Sequence, residues 1–359
     1  MRSGYQTLIK VLGLALYGPL AASTRYRLGQ YVTGLASSGI DLKICHFLGD
    51  DYLLERFHKG GWPLRAILRG ACDRFADLIN LKNHDLAILH CELFPLMPGW
   101  LERALIRRPY IYDFDDAFYL KYRSRRFSAL QPMLGKKFEN VIRGASAITA
   151  GNRTLSGYAG RFNPRTTLLP TVVDTGRYLP KTHRHTPTTF TIGWIGSPST
   201  APYLDQLIQP LSALAHESPV RLIVIGGKAP VIQSVDVVEI AWQESTEVEL
   251  LNHFDVGVMP LPDDEWARGK CAFKLIQYMA CGLPVIASAV GANMEVVSRD
   301  SGFLANTPEE WLRALRQLRD EPYIRRSMGQ AGREQVVARY SLANNLPHLA
   351  EVIRQVARQ

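Results

Sequence analysis

The chain has 359 residues, of which 47% are hydrophobic and 21% charged, and its net charge is +9. This length exceeds what one hydrophobic core usually serves, so we expect two domains, and the composition argues against a mainly disordered chain. The positive charge favours an anionic partner. Nucleic acid is not expected, because the sequence contains no zinc pattern, helix-turn-helix signal or aromatic RNA-binding motif.

Short apolar runs alternate with segments of helical period in the first half of the chain, which is typical of β-α-β units and a parallel sheet. A helix is predicted over residues 25–38, because Leu28, Tyr31 and Leu35 recur on one face. The predicted strands are residues 10–17, 41–47, 86–90, 110–114 and 147–150.

The first strand has an alternative interpretation as a short signal peptide, because Arg2 and Lys10 flank the start of an apolar run that ends in small residues. The run is only of strand length and is broken at Gly18-Pro19, so we interpret it as a buried strand. No stretch reaches the ~18 to 20 apolar residues of a transmembrane helix. The five cysteines lack metal-ligand spacing, which fits a reducing, cytoplasmic compartment.

The loop after this strand holds Ser23, Thr24 and Arg25. Ser23 or Thr24 is the expected N-cap of the following helix, and Arg25 either binds a phosphate or belongs to a simple capped helix start.

A basic segment with interleaved aromatic residues follows later in the first half. It is either a solvated helical face or a patch for anionic lipid headgroups or a lipid diphosphate. Its basic residues are Arg103, Arg107, Arg108, Lys121, Arg123, Arg125, Arg126, Lys136, Lys137 and Arg143.

A second α/β unit follows a connector without periodicity. Ligands of open parallel sheets bind beyond the carboxyl ends of the strands, so substrates are expected between the two halves. The predicted strands are residues 190–195, 221–225, 237–240, 256–259 and 284–287. The predicted divisions are an N-terminal domain over 1–170, a linker over 171–188, a C-terminal domain over 189–340 and an amphipathic helix over 341–359 that packs back across the domains.

The most informative stretch runs from residue 255 to residue 288 and includes a predicted helix over 269–280. Basic side chains at a helix start can bind a phosphate together with the helix N–H groups and dipole. A lysine there opposes the dipole unless an anion is bound, so we interpret Arg268, Lys270 and Lys274 as diphosphate ligands rather than as solvated side chains.

The end of this stretch, QYMACGLPVIAS from Gln277 to Ser288, resembles the donor-site signature of family 4 glycosyltransferases, which are retaining enzymes of the GT-B fold. The elements PTVVD at residues 170–174 and GWIG at residues 193–196 resemble landmarks of the same family. Gly269 and Gln277 stand where the two glutamates of its E-x7-E signature are expected. The chain therefore resembles a divergent branch, to which the roles of those glutamates do not carry over.

The resemblance implies an α/β fold with two Rossmann-like domains, each with a parallel sheet, facing each other across a cleft. It implies a donor site in the second domain, where Gly196, Ser197 and Thr200 lie near the phosphates. Gln277 can hydrogen-bond a ribose hydroxyl there, although it adds no negative charge. Alone, the glycine loop also fits a tight strand-to-helix turn.

Three acids, Asp113, Asp115 and Asp116, end a strand of the first half. By resemblance, Asp115 falls where the family has a histidine that touches the donor sugar, and Asp116 lies with Ser23, Thr24 and Arg25 on the acceptor side. A divalent-metal motif is the rival interpretation of the three acids. His90 and Glu92 follow another strand, and a structural role is expected for the histidine.

The sequence and the resemblance together predict a metal-independent, retaining glycosyltransferase. It would move a sugar from a nucleoside diphosphate, UDP in particular, to a glycan or lipid-linked acceptor in cell-surface polysaccharide or glycolipid synthesis. The expected partners also include an anionic membrane surface, with the protein on the inner face of the cell membrane. The alternatives are a nucleotide-sugar 2-epimerase and a catalytically degenerate sugar-nucleotide or membrane-binding module.

Overall fold

The computed structural model describes residues 8–59, 63–180 and 189–359, and of residues 57–59 only the backbone. Arg2 and residues 181–188 of the predicted linker lie outside the described part. The chain divides into two compact units, one formed by Met1–Val172 with Leu342–Gln359 and the other by Val173–Ser341. Each unit is an α/β structure with its own sheet and core.

The first unit contains a parallel six-stranded sheet with the strand order β2-β1-β3-β4-β5-β6. The strand Ile9–Tyr17, which has a neighbour on each side, is buried on both faces over most of its length, as expected for a parallel sheet covered by helices. The strands are β1 (Ile9–Tyr17), β2 (Ile40–Leu48), β3 (Leu86–His90), β4 (Tyr110–Phe114), β5 (Ala147–Ala150) and β6 (Thr166–Leu168). The helices are α1 (Ala22–Arg27), α2 (Val32–Ala36), α3 (Asp50–Lys59), α4 (Leu64–Asn80), α5 (Gly99–Leu105), α6 (Gln131–Leu134), α7 (Lys137–Gly144) and α8 (Arg153–Gly160).

The second unit repeats this plan with the order β12-β11-β10-β7-β8-β9. The strands are β7 (Phe190–Ile195), β8 (Val220–Ile225), β9 (Asp236–Ile240), β10 (Val256–Met259), β11 (Val285–Ala287) and β12 (Gly302–Leu304). The helices are α9 (Ile208–Ala215), α10 (Glu247–Leu251), α11 (Glu265–Arg268), α12 (Phe273–Ala280), α13 (Asn293–Val296), α14 (Pro308–Asp320) and α15 (Pro322–Arg339).

The C-terminal helix α16 (Leu342–Ala357) belongs to the first unit. Its Leu349, Ile353 and Val356 lie in the same core cluster as residues of β1 and β3. A side-chain carbon on Gly34 would lie 2.5 Å from a methyl group of Leu346, so α2 and this helix pack closely at the glycine. Among the described residues, no helix combines the length and the apolar character needed to cross a bilayer.

The predicted strands are all present, with ends that differ by at most one residue, and the parallel α/β fold class is confirmed in both units. The three-residue strands β6 and β12, each at a sheet edge, were not predicted. The continuous helix over residues 25–38 is wrong, because α1, a 3-10 turn (Gly29–Tyr31) and α2 replace it. Glycine at positions 29 and 34 weakens a regular helix there.

Candidate active site

The carboxyl ends of β7 and β8 meet at two glycines in the second unit. The backbone of Gly226 has a φ of +78°, and a side-chain carbon at this position would clash with the carbonyl oxygen of Gly196. At Gly196, such a carbon would lie 2.5 Å from the Trp194 ring and 2.7 Å from Cε of Lys274. Only glycine fits both positions, so bare backbone lines this edge of the sheet.

Lys274 lies beside these glycines. It is in the first turn of α12, and its Nζ lies 5.3 Å from the centre of the Trp194 ring. A lysine over an aromatic face is held by the ring quadrupole, which here fixes the ammonium group near the end of β7. The structure thus brings together Gly196 and Lys274, two of the residues predicted to bind the donor phosphates.

The helix that carries Lys274 begins later than predicted. It starts at Phe273 rather than at Gly269, because Ala272 adopts a left-handed backbone with a φ of +53° and ends the preceding loop. Lys270 therefore lies in the loop rather than on the helix stripe, where its N–H donates to the carbonyl of Ala267. A non-glycine residue in this conformation costs about 1 to 3 kcal/mol, and such strain is concentrated at functional sites.

Arg268 is engaged elsewhere. Its Nε donates to Asp263 over 2.7 Å, and both side chains are exposed. The serine and threonine after Gly196 close a turn: Thr200 Oγ1 donates to the Ser197 carbonyl over 3.1 Å, and Ser197 and Ser199 share a hydroxyl contact of 2.8 Å. These contacts are those of a tight strand-to-helix turn, and binding of donor phosphates by these residues stays a prediction.

Gln277 is buried in a polar cluster that sequence reasoning missed. Its Nε2 lies 3.0 Å from the Tyr178 hydroxyl and 3.1 Å from the Glu247 carboxylate. Glu247 is also buried and accepts hydrogen bonds from Tyr178 and from Trp242 Nε1. The amide protons of Gln277 are thus used inside the protein, so any contact to a ribose hydroxyl falls to its Oε1. No local pattern marks Glu247, because its partners Tyr178 and Gln277 lie 69 and 30 residues away in the sequence.

In the first unit, Asp113 at the end of β4 is a buried hub. Its carboxylate accepts a bidentate interaction from Arg27, a bond of 2.6 Å from Thr149 and a contact of 2.8 Å from His90 Nδ1. Burial raises the pKa of Asp113, but the Arg27 charge and the hydrogen bonds from His90 and Arg27 outweigh it and hold this pKa well below its usual value. The carboxylate is structural and is not available as part of a metal motif with Asp115 and Asp116.

His90 points its second ring nitrogen at Asp115. Because ionised Asp113 accepts from Nδ1, we assign the proton to Nδ1, which makes Nε2 an acceptor. This Nε2 is buried without a hydrogen-bond partner and lies 4.0 Å from the Asp115 carboxylate. Burial raises the pKa of Asp115, although the positive charge of Arg27 acts against it. A proton on Asp115, or a cation between His90 Nε2 and the carboxylate, would remove the repulsion between these two acceptors.

Among the residues that the structure describes, His90, Cys91 and Asp115 form one group with metal-ligand spacing, with ligand atoms all within 4.8 Å of one another. Nitrogen, sulfur and carboxylate ligands suit a zinc-like ion, and Asp113 stands behind His90 as an outer carboxylate often does. Burial and the nearby carboxylates raise the pKa of the Cys91 thiol well above its usual value, which opposes thiolate formation while no cation is bound.

The basic segment is partly internal. Lys137 is fully buried and contacts Glu92 at 3.1 Å and Glu102 at 3.0 Å, while Lys121 contacts Glu92 at 2.7 Å. Burial raises the pKa of Glu102 to about 7 in spite of Lys137, whereas the lysines outweigh burial at Glu92 and lower its pKa. Both interpretations of the segment, a solvated face and a patch for anionic headgroups, need exposed side chains and are therefore wrong for Lys137. Arg125 and Arg126 are exposed, and binding of anionic headgroups by them stays a prediction.

The predicted N-caps are wrong as well. Helix α1 begins at Ala22, after Ala21, which makes no side-chain cap. Thr24 instead donates to the carbonyl of Tyr17 over 2.9 Å, and Arg25 donates to the carbonyls of residues 19 and 20 over 2.8 Å each. These bonds hold the loop after β1 in place. Ser23 is half-buried in the first turn, and Asp116 accepts the N–H of its neighbour Ala117 over 2.9 Å.

Residues 189–321 match the family model of "Glycosyl transferases group 1". The second unit holds a glycosyltransferase domain. This enzyme domain contains the Gly196, Gly226 and Lys274 arrangement. The D-inositol 3-phosphate glycosyltransferase of Kineococcus radiotolerans is 28% identical over 155 residues, covering 35% of this chain and 35% of that protein. The matched region is thus about a third of that relative.

Solved structures resemble the whole chain. Anabaena HepE in complex with UDP and glucose has a TM-score of 0.68 at 15% identity and covers 96% of this chain and 99% of its own. WaaG, a glycosyltransferase involved in lipopolysaccharide biosynthesis, has a TM-score of 0.66 at 16% identity with coverages of 96% and 99%. At such identity the likeness shows the fold, which is the GT-B type with two Rossmann-like units.

Proposed function

We propose that the chain is a retaining glycosyltransferase that moves a sugar from a nucleoside diphosphate, UDP in particular, to a hydroxyl of a glycan or lipid-linked acceptor. The observation that carries the proposal is the position of Lys274, held over Trp194 beside the bare backbone of Gly196 within the glycosyltransferase domain. The choice of uridine is supported by HepE, which was solved with UDP.

Sugar transfer breaks the bond between the anomeric carbon and the diphosphate oxygen and forms a bond to the acceptor oxygen. The acceptor hydroxyl loses its proton, and the departing diphosphate is the base that takes it. Negative charge grows on that diphosphate, so fixed cations beside it lower the barrier. Lys274 would supply this charge from the helix start and Lys270 from the loop before it, without a metal ion.

Asp115 is the residue that we assign to the sugar. Its side chain is 15% exposed, and burial raises its pKa, so it can donate a hydrogen bond to a sugar hydroxyl when protonated or stabilise positive charge when ionised. His90 and Asp113 would fix its surroundings rather than react. We place Ser23, Arg25 and Asp116 on the acceptor side.

We further propose that the acceptor belongs to cell-surface polysaccharide or glycolipid synthesis and that the protein works in the cytoplasm on the inner face of the cell membrane. Arg125 and Arg126 are the exposed part of the basic segment that would face anionic headgroups. Each basic residue near such a surface contributes about 1 kcal/mol.

The first test measures thermal stabilisation by a panel of nucleoside diphosphates and their sugars, because binding to the folded state raises its stability by mass action. The wild type is compared with Lys274→Ala and Lys270→Ala, with Lys43→Ala on β2 as a matched exposed lysine in the first unit. We expect a shift with uridine nucleotides that is reduced in the two donor-site variants, kept in the control and unchanged by EDTA.

Turnover is then measured by release of UDP and by analysis of the sugar product. Transfer to an acceptor with the anomeric configuration retained supports the proposal. An epimerised sugar nucleotide overturns it in favour of an epimerase, and binding without turnover across many acceptors overturns it in favour of a binding module. Loss of activity with EDTA that zinc restores would contradict the metal-independent mechanism and direct attention to His90 and Cys91.

A further inference from the structure

Helix α4 exposes a stripe of large apolar side chains. Leu64, Leu68, Phe75 and Ile79 are 69%, 66%, 49% and 68% exposed. At 100° per residue these four positions fall within about 60° of one another around the helix and extend over about 22 Å along it. Cys72 is exposed beside this stripe, about 20° around the helix from Ile79. Single exposed apolar residues are ordinary, but an aligned row of four marks an interaction surface.

The other side of the helix fixes this orientation. Gly70 lies so close to β2 that a side-chain carbon would clash with the carbonyl of Phe47. Arg74 is fully buried and donates to the carbonyl of Ala15 in β1 over 2.5 Å. Because this close approach and this buried bond cannot be kept if the helix rotates, α4 cannot turn its apolar stripe inward.

Basic side chains lie at both ends of the stripe. Arg65 and Arg69 are exposed in the first half of α4, and Arg69 is 3.8 Å from Asp73 in a solvated pair. Lys82 follows the helix directly, and Arg108 donates to the Lys82 carbonyl over 2.6 Å. An apolar row bordered by cations matches the boundary between acyl chains and anionic headgroups.

We propose that α4 lies in the plane of an anionic bilayer, with Leu64, Leu68, Phe75 and Ile79 at the acyl boundary and Arg65 and Arg69 at the headgroup phosphates. The inference rests on the proposed function only in taking a membrane as the place of reaction, since vesicle binding requires no sugar transfer. The stripe of α4 would add an apolar contact with the bilayer to the electrostatic attraction of Arg125 and Arg126.

The experiment measures binding of the full chain to vesicles of phosphatidylcholine with and without phosphatidylglycerol. The apolar variant is Leu68→Ser with Ile79→Ser, and its control is Val231→Ser with Tyr323→Ser, which are 96% and 74% exposed in the second unit. We expect the apolar variant to lose on the order of tenfold to hundredfold in partitioning and the control to lose nothing. Thermal unfolding and nucleotide-induced stabilisation are measured on every variant.

A second measurement reports how deeply α4 enters the bilayer. An environment-sensitive fluorophore on Cys72, with Cys45 and Cys271 replaced by serine, should shift to the blue on anionic vesicles, and Arg65→Gln with Arg69→Gln should weaken the shift severalfold. Equal vesicle binding by the apolar variant and its control, or no fluorescence shift, overturns the inference while nucleotide-induced stabilisation still reports the proposed donor site. If the wild type self-associates and the apolar variant does not, while both bind vesicles equally, the inference is overturned and the stripe binds a second copy of this chain.

Discussion

The carboxyl ends of the strands carry different side chains in the two sheets. At the edge of the first sheet, buried acids are matched by buried cations and donors: Asp113 by Arg27, and Glu92 by Lys137. At the edge of the second sheet, two glycines leave backbone uncovered and Lys274 sits beside them. Several charged side chains at strand ends can therefore neutralise one another and serve the structure. Uncovered backbone beside one positioned cation is instead suited to binding an anionic ligand.

The largest expected effect concerns the buried ion pairs of Lys137 with Glu92 and Glu102, and its measurement tests whether they stabilise the fold. Lys137→Ala leaves the buried carboxylates of Glu92 and Glu102 without their shared cation. Breaking a buried ion pair by removing one partner costs about 3 to 5 kcal/mol. Urea unfolding should show this loss, while the exposed neighbour Lys136→Ala changes the free energy of unfolding by less than about 0.5 kcal/mol. Equal effects of the two changes would contradict the network.

The pH dependence of the same network is the next effect. The pKa of Glu102 is about 7 in the folded chain because of burial, above the ~4.3 of an unfolded glutamate. The folded state thus holds a proton that the unfolded state has lost, so stability falls as pH rises from about 4.5 to 7. One pKa unit corresponds to about 1.4 kcal/mol, so the free energy of unfolding should fall by on the order of 2 to 3 kcal/mol over this pH range. Glu102→Gln should flatten this slope in unfolding measured across that range, and an unchanged slope would exclude Glu102 as its source.

Replacing the buried amide of Gln277 by a carboxylate should destabilise the second unit. Gln277→Glu replaces a donor by a carboxylate next to buried Glu247, and the loss of the hydrogen bond and the like charges should cost about 1 to 3 kcal/mol at pH 7. The exchanged pair Gln277→Glu with Glu247→Gln restores a donor and an acceptor and should recover most of the stability. If the exchange recovers nothing, Glu247 is not the reason that position 277 carries an amide.

The smallest effect concerns the loop after β1. Ser23→Ala should change the free energy of unfolding by less than about 0.5 kcal/mol, because α1 has no side-chain cap to lose. Thr24→Val removes the bond to Tyr17 and should cost about 1 kcal/mol or more in the same denaturation experiment. A larger loss for Ser23 than for Thr24 would reverse this assignment.

The sequence by itself determined the two α/β units and the strand positions, because buried parallel strands are short apolar runs that need no partner to be recognised. It also singled out Lys274 through its place near a helix start, and Gly196 through the resemblance of its glycine loop to a known family. Edge strands of three residues and the ends of short helices were missed, since contacts from elsewhere in the chain decide them.

Only the tertiary structure decided which charges are internal and which are exposed. Lys137 is identical in type to Lys136 and adjacent to it, yet one is buried between Glu92 and Glu102 and the other faces water. Likewise, Gln277 is paired with Glu247 across a separation of 30 residues. The physical reason is that the charge state and partners of a side chain depend on burial and on long-range neighbours, which local sequence does not encode.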